Sequence, residues 1–344
     1  YTFHNAPVAV AAFEKSKQLG FPGGPGLFEP VRKTDAQALA MRRVVYDNDH
    51  QSDKLNKLGV KPRWAADGNG WTPDAAVGTK AFAHAGPTLG WVRYAHRATL
   101  LADGWKNPDH AAKKDRAQYE QLKNEGKPLD DAFPPSAVTN YLGFNTAVDQ
   151  MDQSLTGQPT WPHWVGDLWV ECRATISGPD DAVILELSRG QNRFQARFTG
   201  GTVTLFQTVP SEKQVASRPT PLTGKGTYRL TFANVDGRLR VWVDGTAVEF
   251  GTDADFPPAS DGPTAENDVQ APASVAAAGD VKVEALKVWM DTFFAPVADG
   301  PGDAQDQVDT FYVHPGHYLC LGDNSGQSSD GRTWGLVPDR LMLG

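Results

Sequence analysis

The residues best suited to chemistry lie near the carboxyl end of the chain, between positions 311 and 338. Tyr318–Leu321 is an apolar run that predicts a short strand, and a polar turn follows it. In that turn Asp323 and Asn324 have side chains that can hydrogen-bond the turn's own backbone. Composition alone favours the plain interpretation of this segment, which is an ordinary hairpin turn rich in Asp, Asn and Gly.

The second half of the same segment carries three more polar side chains at close spacing. Asp330 and Arg332 can form a charge-assisted pair that holds the return strand in place. Ser328 then lies between two rigid supports, where a small hydroxyl is suited to orient a neighbouring amine. This arrangement could support a nitrogen that comes from another part of the protein, but from composition alone an ordinary turn is still favoured.

The whole set of spaced residues resembles the C-terminal signature of bacterial signal peptidase I. The matching positions are Pro315-Gly316-His317-Tyr318, Gly322-Asp323-Asn324, Ser328, Asp330, Arg332, Trp334-Gly335 and Val337-Pro338. The resemblance implies a membrane-anchored serine endopeptidase with a Ser–Lys dyad. Such enzymes cleave the signal peptides of exported preproteins after small residues, on the outer face of the cytoplasmic membrane. One position departs from the family pattern, because Gly331 stands where the family usually has Ser.

The resemblance also implies roles for single residues. Ser328 occupies the position whose hydroxyl hydrogen-bonds the dyad lysine, and Asp323, Asn324, Asp330 and Arg332 occupy site-supporting positions. A lysine acts as a general base only as a neutral amine, so desolvation must lower its pKa from about 10.4. A hydroxyl partner orients that amine without adding a negative charge, which would raise the pKa again.

The nucleophilic Ser and the base Lys are not identified in this chain. The family motifs Ser-Met-X-Pro-Thr and Lys-Arg-Val-X-Gly-X-Pro-Gly have no convincing counterpart, since the segment Ser154–Thr160 has the wrong spacing. Arg42 and Arg43 resemble the lysine strand but stay charged, and Lys33 is expected to be a surface residue. We expect both catalytic residues to precede Tyr1, with a membrane anchor that this chain does not contain. A truly inactive homologue is the alternative.

The elements that position this segment are predicted to be mainly β, with some α in the N-terminal region. Residues 1–160 are assigned to a signal-peptidase-associated region with helical insertions at Val8–Lys17 and Thr34–Val45, the second capped by Asp35. Ala111–Glu120 is predicted to be a solvated, charged helix. Residues 161–295 are assigned to an inserted β-sandwich and residues 296–344 to the signature segment.

From residue 161 the apolar pattern has a period of two, which is typical of strands. Leu168, Val170, Cys172 and Ala174 share one predicted face, and further strands are expected at 182–187, 193–198, 202–206, 228–232, 239–243 and 281–288. Asp236-Gly237 and Asp244-Gly245 predict hairpin turns, whereas residues 251–279 are expected to form a flexible surface loop. The pattern predicts an antiparallel sandwich. The runs 167–171, 226–230 and 236–245 resemble the laminin-G and concanavalin-like jelly rolls.

Composition excludes several classes of function. The 344 residues carry 33 Lys plus Arg against 41 Asp plus Glu, and this net charge of −8 argues against a nucleic-acid partner. Cys172 and Cys320 are too few and too far apart for a zinc site or a disulfide framework. His314 and His317 lack a third ligand nearby, so neither a metal nor a cofactor is expected.

An alternative function follows from the predicted sandwich, which could act as a carbohydrate- or protein-binding module with an unknown ligand. Aromatic platforms are possible at Trp161, Trp164, Trp169, Trp242 and Trp289, although most of these are expected in the core or on a sheet face. Calcium ligands are possible at Asp180, Asp181, Asp253 and Asp255, although solvated turns are favoured. The sandwich contains no Glu-X-Asp-X-X-Glu triplet, which argues against glycan hydrolysis.

Overall fold

The computed structural model describes residues 32–51, 56, 61–68, 70–72, 78–97, 121, 124–125, 135–140, 164–257, 262–292, 294, 311, 313–322 and 328–343. The helices in these ranges are short: α1 (Asp35–Met41), α2 (Gly331–Trp334), two 3-10 turns (Gly251–Ala254 and Asp339–Leu341) and a π turn (Ala265–Val269). Two predicted helices, Val8–Lys17 and Ala111–Glu120, lie outside the described residues.

Strands supply most of the described structure. Five come early in the chain: β1 (Arg43–Asp47), β2 (Trp64–Asp67), β3 (Trp71–Thr72), β4 (Ala81–His84) and β5 (Gly90–Tyr94). Ten follow: β6 (Leu168–Ile176), β7 (Ala182–Arg189), β8 (Asn192–Thr199), β9 (Thr202–Val209), β10 (Lys213–Pro219), β11 (Gly226–Val235), β12 (Arg238–Val243), β13 (Thr246–Val248), β14 (Ala273–Ala278) and β15 (Val281–Met290). The C-terminal segment adds β16 (His317–Tyr318) and β17 (Val337–Pro338).

The strands form two large antiparallel sheets and one small hairpin. The first sheet has the order β13-β12-β11-β6-β15-β4-β3, and β1 also pairs with β15. The second sheet has the order β10-β9-β8-β7-β14-β5-β2, and β16 pairs only with β17 among the described strands. The predicted mainly β fold with an antiparallel sandwich is confirmed.

One apolar core fills the space between the two large sheets. Phe232 and Leu230 contribute from the first sheet, while Phe194, Phe198 and Leu185 contribute from the second, and each is at most 2% exposed. Burial of side chains of this size is the main favourable term for the sandwich, at about 1.5–3 kcal/mol each.

Strands from residues 43–94 lie in the same two sheets as the strands from residues 168–290. The sandwich therefore begins before the boundary predicted at residue 161. Local periodicity missed these strands because β2 to β5 have two to five residues each and owe their place to partners far along the chain.

The helix predicted at Thr34–Val45 is shorter, because α1 ends at Met41 and Val44 and Val45 belong to β1. Both valines are β-branched, which favours a strand, and Val44 pairs with Trp289 of β15. The cap also differs from the prediction of Asp35. Thr34 is the N-cap, and it forms a capping box in which its hydroxyl accepts from the Gln37 N–H at 3.2 Å.

The loop predicted over residues 251–279 contains a central strand, so that prediction was wrong in part. Strand β14 lies between β7 and β5 in the second sheet, and Ala273 to Ala277 are all buried. A strand that is covered on both faces shows no alternation of apolar and polar residues, and small alanines hide it further.

Both predicted hairpin turns are confirmed. Asp236-Gly237 joins β11 to β12, and Asp244-Gly245 joins β12 to β13. All four residues have positive φ, between 51° and 83°, which is the conformation that favours Asp-Gly in two-residue turns.

Candidate functional site

The C-terminal hairpin, residues 313–322 and 328–343, carries the described part of the predicted site. Its two strands are only two residues long, with His317 opposite Pro338 and Tyr318 opposite Val337. The backbone carbonyl of Gly316 also accepts from the N–H of Asp339 at 2.8 Å. Of the predicted apolar strand Tyr318–Leu321, only Tyr318 lies in a strand, so that prediction was wrong in part. Polar contacts beyond the paired residues hold the hairpin together.

Asp330 and Arg332 form the predicted ion pair, and both side chains are only 6% exposed. Nε and Nη2 of Arg332 donate to the two carboxylate oxygens of Asp330 at 2.9 and 2.8 Å. The backbone N–H of Gly322 donates to Asp330 Oδ2 at 2.8 Å, so the same carboxylate links both arms of the hairpin. The prediction that this pair holds a return strand was wrong. The pair instead holds the first turn of α2, which Asp330 caps.

The pKa of Asp330 reflects opposing effects. Burial by itself would raise the pKa of this carboxyl, but hydrogen bonds from Arg332, Gly322 N–H and Arg332 N–H outweigh it and hold the pKa below its usual range. Asp330 is therefore a stable carboxylate and a structural anchor at neutral pH.

Ser328 lies against the backbone of Gly322. A Cβ atom at position 322 would overlap the Ser328 hydroxyl and lie 2.6 Å from its Cβ, so only glycine leaves room for this side chain. The hydroxyl consequently has a defined position beside the backbone that Asp330 anchors. The predicted partners Asp323 and Asn324 lie outside the described residues, and their roles stay predictions.

Close packing explains why position 331 is glycine and not the serine of the family pattern. A Cβ atom at this position would lie 2.7 Å from the carbonyl oxygen of Cys320 and 2.9 Å from Leu319 Cδ1. The N–H of Gly331 donates to that same carbonyl at 2.7 Å. The first turn of α2 therefore approaches the opposite arm more closely than a serine would allow.

The structure corrects the expectation that Lys33 is a surface residue. Its Nζ lies 2.7 Å from Asp236 Oδ1 and 2.7 Å from Asp291 Oδ2, and its side chain is only 18% exposed. Burial lowers the pKa of Lys33, but the charges and hydrogen bonds of Asp291 and Asp236 more than offset it, so the pKa is raised. Lys33 is thus held as an ammonium and is unsuited to act as a neutral base.

Sequence reasoning missed the carboxylate cluster that surrounds Lys33. Asp167, Asp236 and Asp291 bring carboxylate oxygens within 4.8 Å of one another, and Asp167 also pairs with Arg189. The Lys33 ammonium is the counter-charge of Asp236 and Asp291. The members come from three distant segments, so no local signal could have found them.

The other candidate residues have structural partners. Asp181 accepts from the backbone N–H groups of Ser177, Gly178 and Asp280, at 3.0, 2.8 and 3.2 Å. Asp253 pairs with Arg218 at 2.6 Å and Asp255 with Arg238 at 2.5 Å. Asp181 thus binds the backbone of its own turn, whereas Asp253 and Asp255 pair with arginines of β10 and β12.

Among the remaining candidates, Trp169, Trp242 and Cys172 are placed by packing. Trp169 and Trp242 are 0% and 1% exposed beneath α1, and Trp289 packs beside them. The rings of His314 and His317 lie 6.0 Å apart. Cys172 is buried, and burial raises the pKa of its thiol, whereas Cys320 is half-buried. Trp161 lies outside the described residues.

Residues 241–344 match the family described as signal peptidase, peptidase S26. The match covers the whole hairpin and begins within β12, so this S26-like segment (residues 241–344) also includes the last strands of the sandwich. No curated protein matches the chain. Across the described ranges, every helix is too short or too polar to cross a membrane.

Three solved structures illustrate the partial likeness of the sandwich. The chain is similar to carbohydrate-binding module CBM66 from Bacillus subtilis (TM-score 0.34, 9% identity, 66% of this chain and 96% of that chain). It is also similar to galectin LEC-6 from Caenorhabditis elegans (0.26, 17%, 36% and 83%) and to sheep galectin-11 (0.27, 15%, 37% and 92%). Values this low say nothing about the ligand of this chain.

Proposed function

We propose that this chain is part of a signal peptidase I-like serine endopeptidase that removes signal peptides from exported preproteins. The observation that carries the proposal is the Gly322–Ser328–Asp330–Arg332 arrangement within the S26-like segment. It holds a small hydroxyl in a defined place beside a carboxylate whose charge is already matched by an arginine.

The geometry suits a lysine base for an electrostatic reason. A carboxylate that faced the amine would raise its pKa and keep it protonated at neutral pH. Asp330 instead directs both oxygens to Arg332 and to the backbone of Gly322, and Ser328 offers a neutral hydroxyl. In this proposal Ser328 is a positioning residue for the amine, and Asp330 with Arg332 positions Ser328.

The chemistry would be acyl transfer by a Ser–Lys dyad. The lysine amine takes the proton of the nucleophilic Ser as its oxygen attacks the scissile carbonyl, and it passes that proton to the departing amine of the mature protein as the C–N bond breaks. Water then hydrolyses the acyl-enzyme ester, which releases the signal peptide as a carboxylic acid and restores the Ser. Neither member of the dyad is identified among the 344 residues, so the chain by itself is expected to show no peptidase activity. The proposed location is the outer face of the cytoplasmic membrane.

A cleavage assay of the intact protein tests the proposal. The substrate is a preprotein with small residues before its cleavage point, and kcat and KM are measured for Ser328→Ala beside the matched control Ser329→Ala. Ser329 is the exposed neighbour whose backbone, not its side chain, accepts from Trp334. We expect Ser328→Ala to lower kcat by about 100-fold with little change in KM, since loss of a proton-transfer contribution has that order.

Two further results bear on the same assay. The rate for the wild type should rise with pH as the base loses its proton, and Ser328→Ala should move that rise because it alters the surroundings of the amine. If the intact protein cleaves no preprotein, the inactive homologue replaces this proposal. If it cleaves preproteins and the two serine variants behave alike, the role proposed for Ser328 is wrong.

A further inference from the structure

Strand β13 (Thr246–Val248) lies at the border of the first sheet, and its outer edge is open. Its inner edge pairs with β12, with Trp242 opposite Ala247. Because Asp244-Gly245 is a two-residue turn, the residues that flank it exchange the first hydrogen bonds, and Ala247 directs its N–H and C=O away from β12. Among the described residues, none hydrogen-bonds Ala247 on that side.

A border strand of the second sheet, β10, is protected against pairing in ways that β13 is not. It contains a bulge between Gln214 and Ala216, and it ends at Pro219, which has no N–H to donate. Bulges and edge prolines keep a sheet from pairing with another chain. Strand β13 has the sequence Thr-Ala-Val, with no proline, charge or bulge. Its edge is therefore available to a strand from another molecule.

A groove of about 340 Å³ opens beneath the β13 edge, between the borders of the two sheets. Thr246 and Val248 line it, because they face the same side as their partners in β12, which belong to the core. Pro219 and Pro221 line the opposite side. Thr246 and both prolines are exposed, so the groove is accessible from solvent.

Two side chains of opposite charge flank β13 on the outward face of the sheet. The Arg229 guanidinium reaches over the turn, where a Cβ atom on Gly245 would lie 2.7 Å from its Nη2. Glu249 follows β13 directly and is exposed, and alternation places it outward because Val248 packs against the core. Within the part of the chain that the structure describes, neither charged group makes a hydrogen bond or an ion pair.

Antiparallel pairing of two β13 strands about Ala247 would use both the free backbone groups and the groove. In that register the two Ala247 residues lie opposite each other, and each donates its N–H to the carbonyl of the other. Thr246 lies opposite Val248 of the second copy, and both side chains face the groove side. Cross-strand contacts of this kind stabilise a strand pair, and the second copy covers the apolar opening.

The same register brings the two free charges together. Glu249 lies opposite Gly245 of the second copy, which is the residue that the Arg229 guanidinium covers. An ion pair between Glu249 of one copy and Arg229 of the other can therefore form at each end of the paired strands. A surface that is complementary to itself is what a two-fold dimer requires.

We propose that two copies of this chain form a two-fold dimer through their β13 edges, with one continuous sheet across both copies. The edge, the groove and the two charges are complementary to themselves, so a second copy satisfies all three. Because β13 has only three residues, the interface is small, and we expect a weak dimer that forms at high protein concentration. This association goes beyond the proposed peptidase and depends on no residue of the C-terminal hairpin.

Sedimentation equilibrium of the 344-residue chain, at protein concentrations from about 1 µM to about 1 mM, tests the proposal. We expect the wild type to change from monomer to dimer within this range. Hydrogen exchange locates the contact, because the Ala247 amide should exchange more slowly as the dimer forms. A chain that stays monomeric throughout, or an Ala247 amide that exchanges equally fast in the dimer, would overturn the proposal.

Charge exchange tests the two ion pairs. Glu249→Arg and Arg229→Glu should each raise the dissociation constant by about tenfold or more, since each change acts twice in a two-fold dimer and places like charges together. The double variant restores opposite charges and should dimerise within about threefold of the wild type. Glu266→Arg is the matched control, because Glu266 is also exposed but lies near Arg193 of the second sheet, and it should dimerise as the wild type does.

Ala247→Pro tests the backbone contact. It removes the N–H that faces the open side and none that pairs with β12, so the variant should fold and stay monomeric. Thermal unfolding shows whether it is folded, and the charge variants decide the matter if it is not. Single charge variants that dimerise like the wild type, or a double variant that does not recover, would show that β13 is not the interface. Ser328→Ala should dimerise normally, so the two proposals fail separately.

Discussion

In the sandwich, the side chains that set the structure are apolar and fully buried, whereas in the C-terminal hairpin they are charged and hydrogen-bonded. Phe232 and Phe198 belong to one core between sheets of eight and seven strands. The hairpin has two strands of two residues each and depends on Asp330, which binds Arg332 and the backbone of Gly322. The large core keeps the sandwich folded when a surface residue is changed. The described part of the hairpin has no buried apolar core that could do the same.

The two regions are therefore sensitive to different kinds of substitution. The hairpin leaves Trp334 and Tyr318 about half exposed, at 51% and 49%, so apolar burial contributes little there. Its geometry comes from a carboxylate that two arms of the chain share. A polar anchor of this kind fixes the position of a few atoms, which suits a site, whereas a core fixes the position of whole sheets.

The largest expected effect is in the core. Phe232→Ala should destabilise the protein by about 3–5 kcal/mol, because it removes a fully buried aromatic ring and leaves a cavity. Trp334→Ala in the hairpin should change stability by no more than about 1 kcal/mol, because the ring is half exposed and its Nε1 donates one hydrogen bond, to the Ser329 carbonyl. Chemical denaturation of both variants measures the difference, and a similar loss for the two would contradict the comparison.

Removal of the hairpin's anchor should come next. Asp330→Asn leaves Arg332 buried without its counter-charge, and we expect the hairpin to lose about 3 kcal/mol of local stability. Hydrogen exchange at the Gly322 and Gly331 amides reports this loss while core amides stay protected. If these two amides in Asp330→Asn stay as protected as in the wild type, backbone contacts alone are enough to hold the hairpin together.

The same anchor should respond to acid. Because the folded-state pKa of Asp330 is lowered, its stabilisation is complete above about pH 5 and is lost as the pH falls through the folded value, below about 4. Hairpin exchange rates in the wild type should therefore be constant from pH 7 to 5, after correction for intrinsic rates, and rise at lower pH. In Asp330→Asn this acid-dependent rise should be absent.

An intermediate effect is expected at Lys33, because its ion pairs with Asp236 and Asp291 stabilise part of the sandwich. Lys33→Met removes the counter-charge of Asp236 and Asp291 and should cost about 2 kcal/mol at pH 7. The loss should shrink near pH 4, because protonated carboxyls need no counter-charge, and burial already raises the pKa of Asp291. Thermal unfolding at the two pH values measures it.

Lys282→Met is the matched control for that prediction, because Lys282 also pairs with a carboxylate but is 51% exposed. It should change stability by no more than about 0.5 kcal/mol at either pH. The wild type should keep the Lys33 contribution up to about pH 10 and lose it only above, as the raised folded-state pKa is passed. An equal effect of the two lysine variants would show that burial does not strengthen the Lys33 contacts.

The smallest effect is expected at the cap of α1. Thr34→Ala removes the hydroxyl that accepts from Gln37 N–H and should cost about 1 kcal/mol, whereas Thr34→Ser should cost little. Because α1 covers Trp169 and Trp242, fluorescence of these indoles can follow the fraying. No change in either variant would show that packing alone holds α1 on the sheet.

Several features were predictable because their causes are local. Asp236-Gly237 and Asp244-Gly245 adopt positive φ in two-residue turns, and the alternation in Leu168–Ala174 correctly placed four of those residues in the core. The spacing of Asp330 and Arg332 also predicted their pairing, because only one residue lies between them and the two side chains can span that distance. Each of these signals depends on a few consecutive residues.

The sequence by itself determined the strand periods, the hairpin turns and the spaced polar residues of the C-terminal segment. Only the tertiary structure decided that β1 to β5 join the sandwich, that β14 lies at the centre of a sheet, and that Lys33 meets Asp236 and Asp291. It also decided that Glu186 and Gln195 are buried on an outward face. The reason is physical, since pairing, burial and charge compensation between distant segments depend on which surfaces meet, and local sequence patterns contain no record of that.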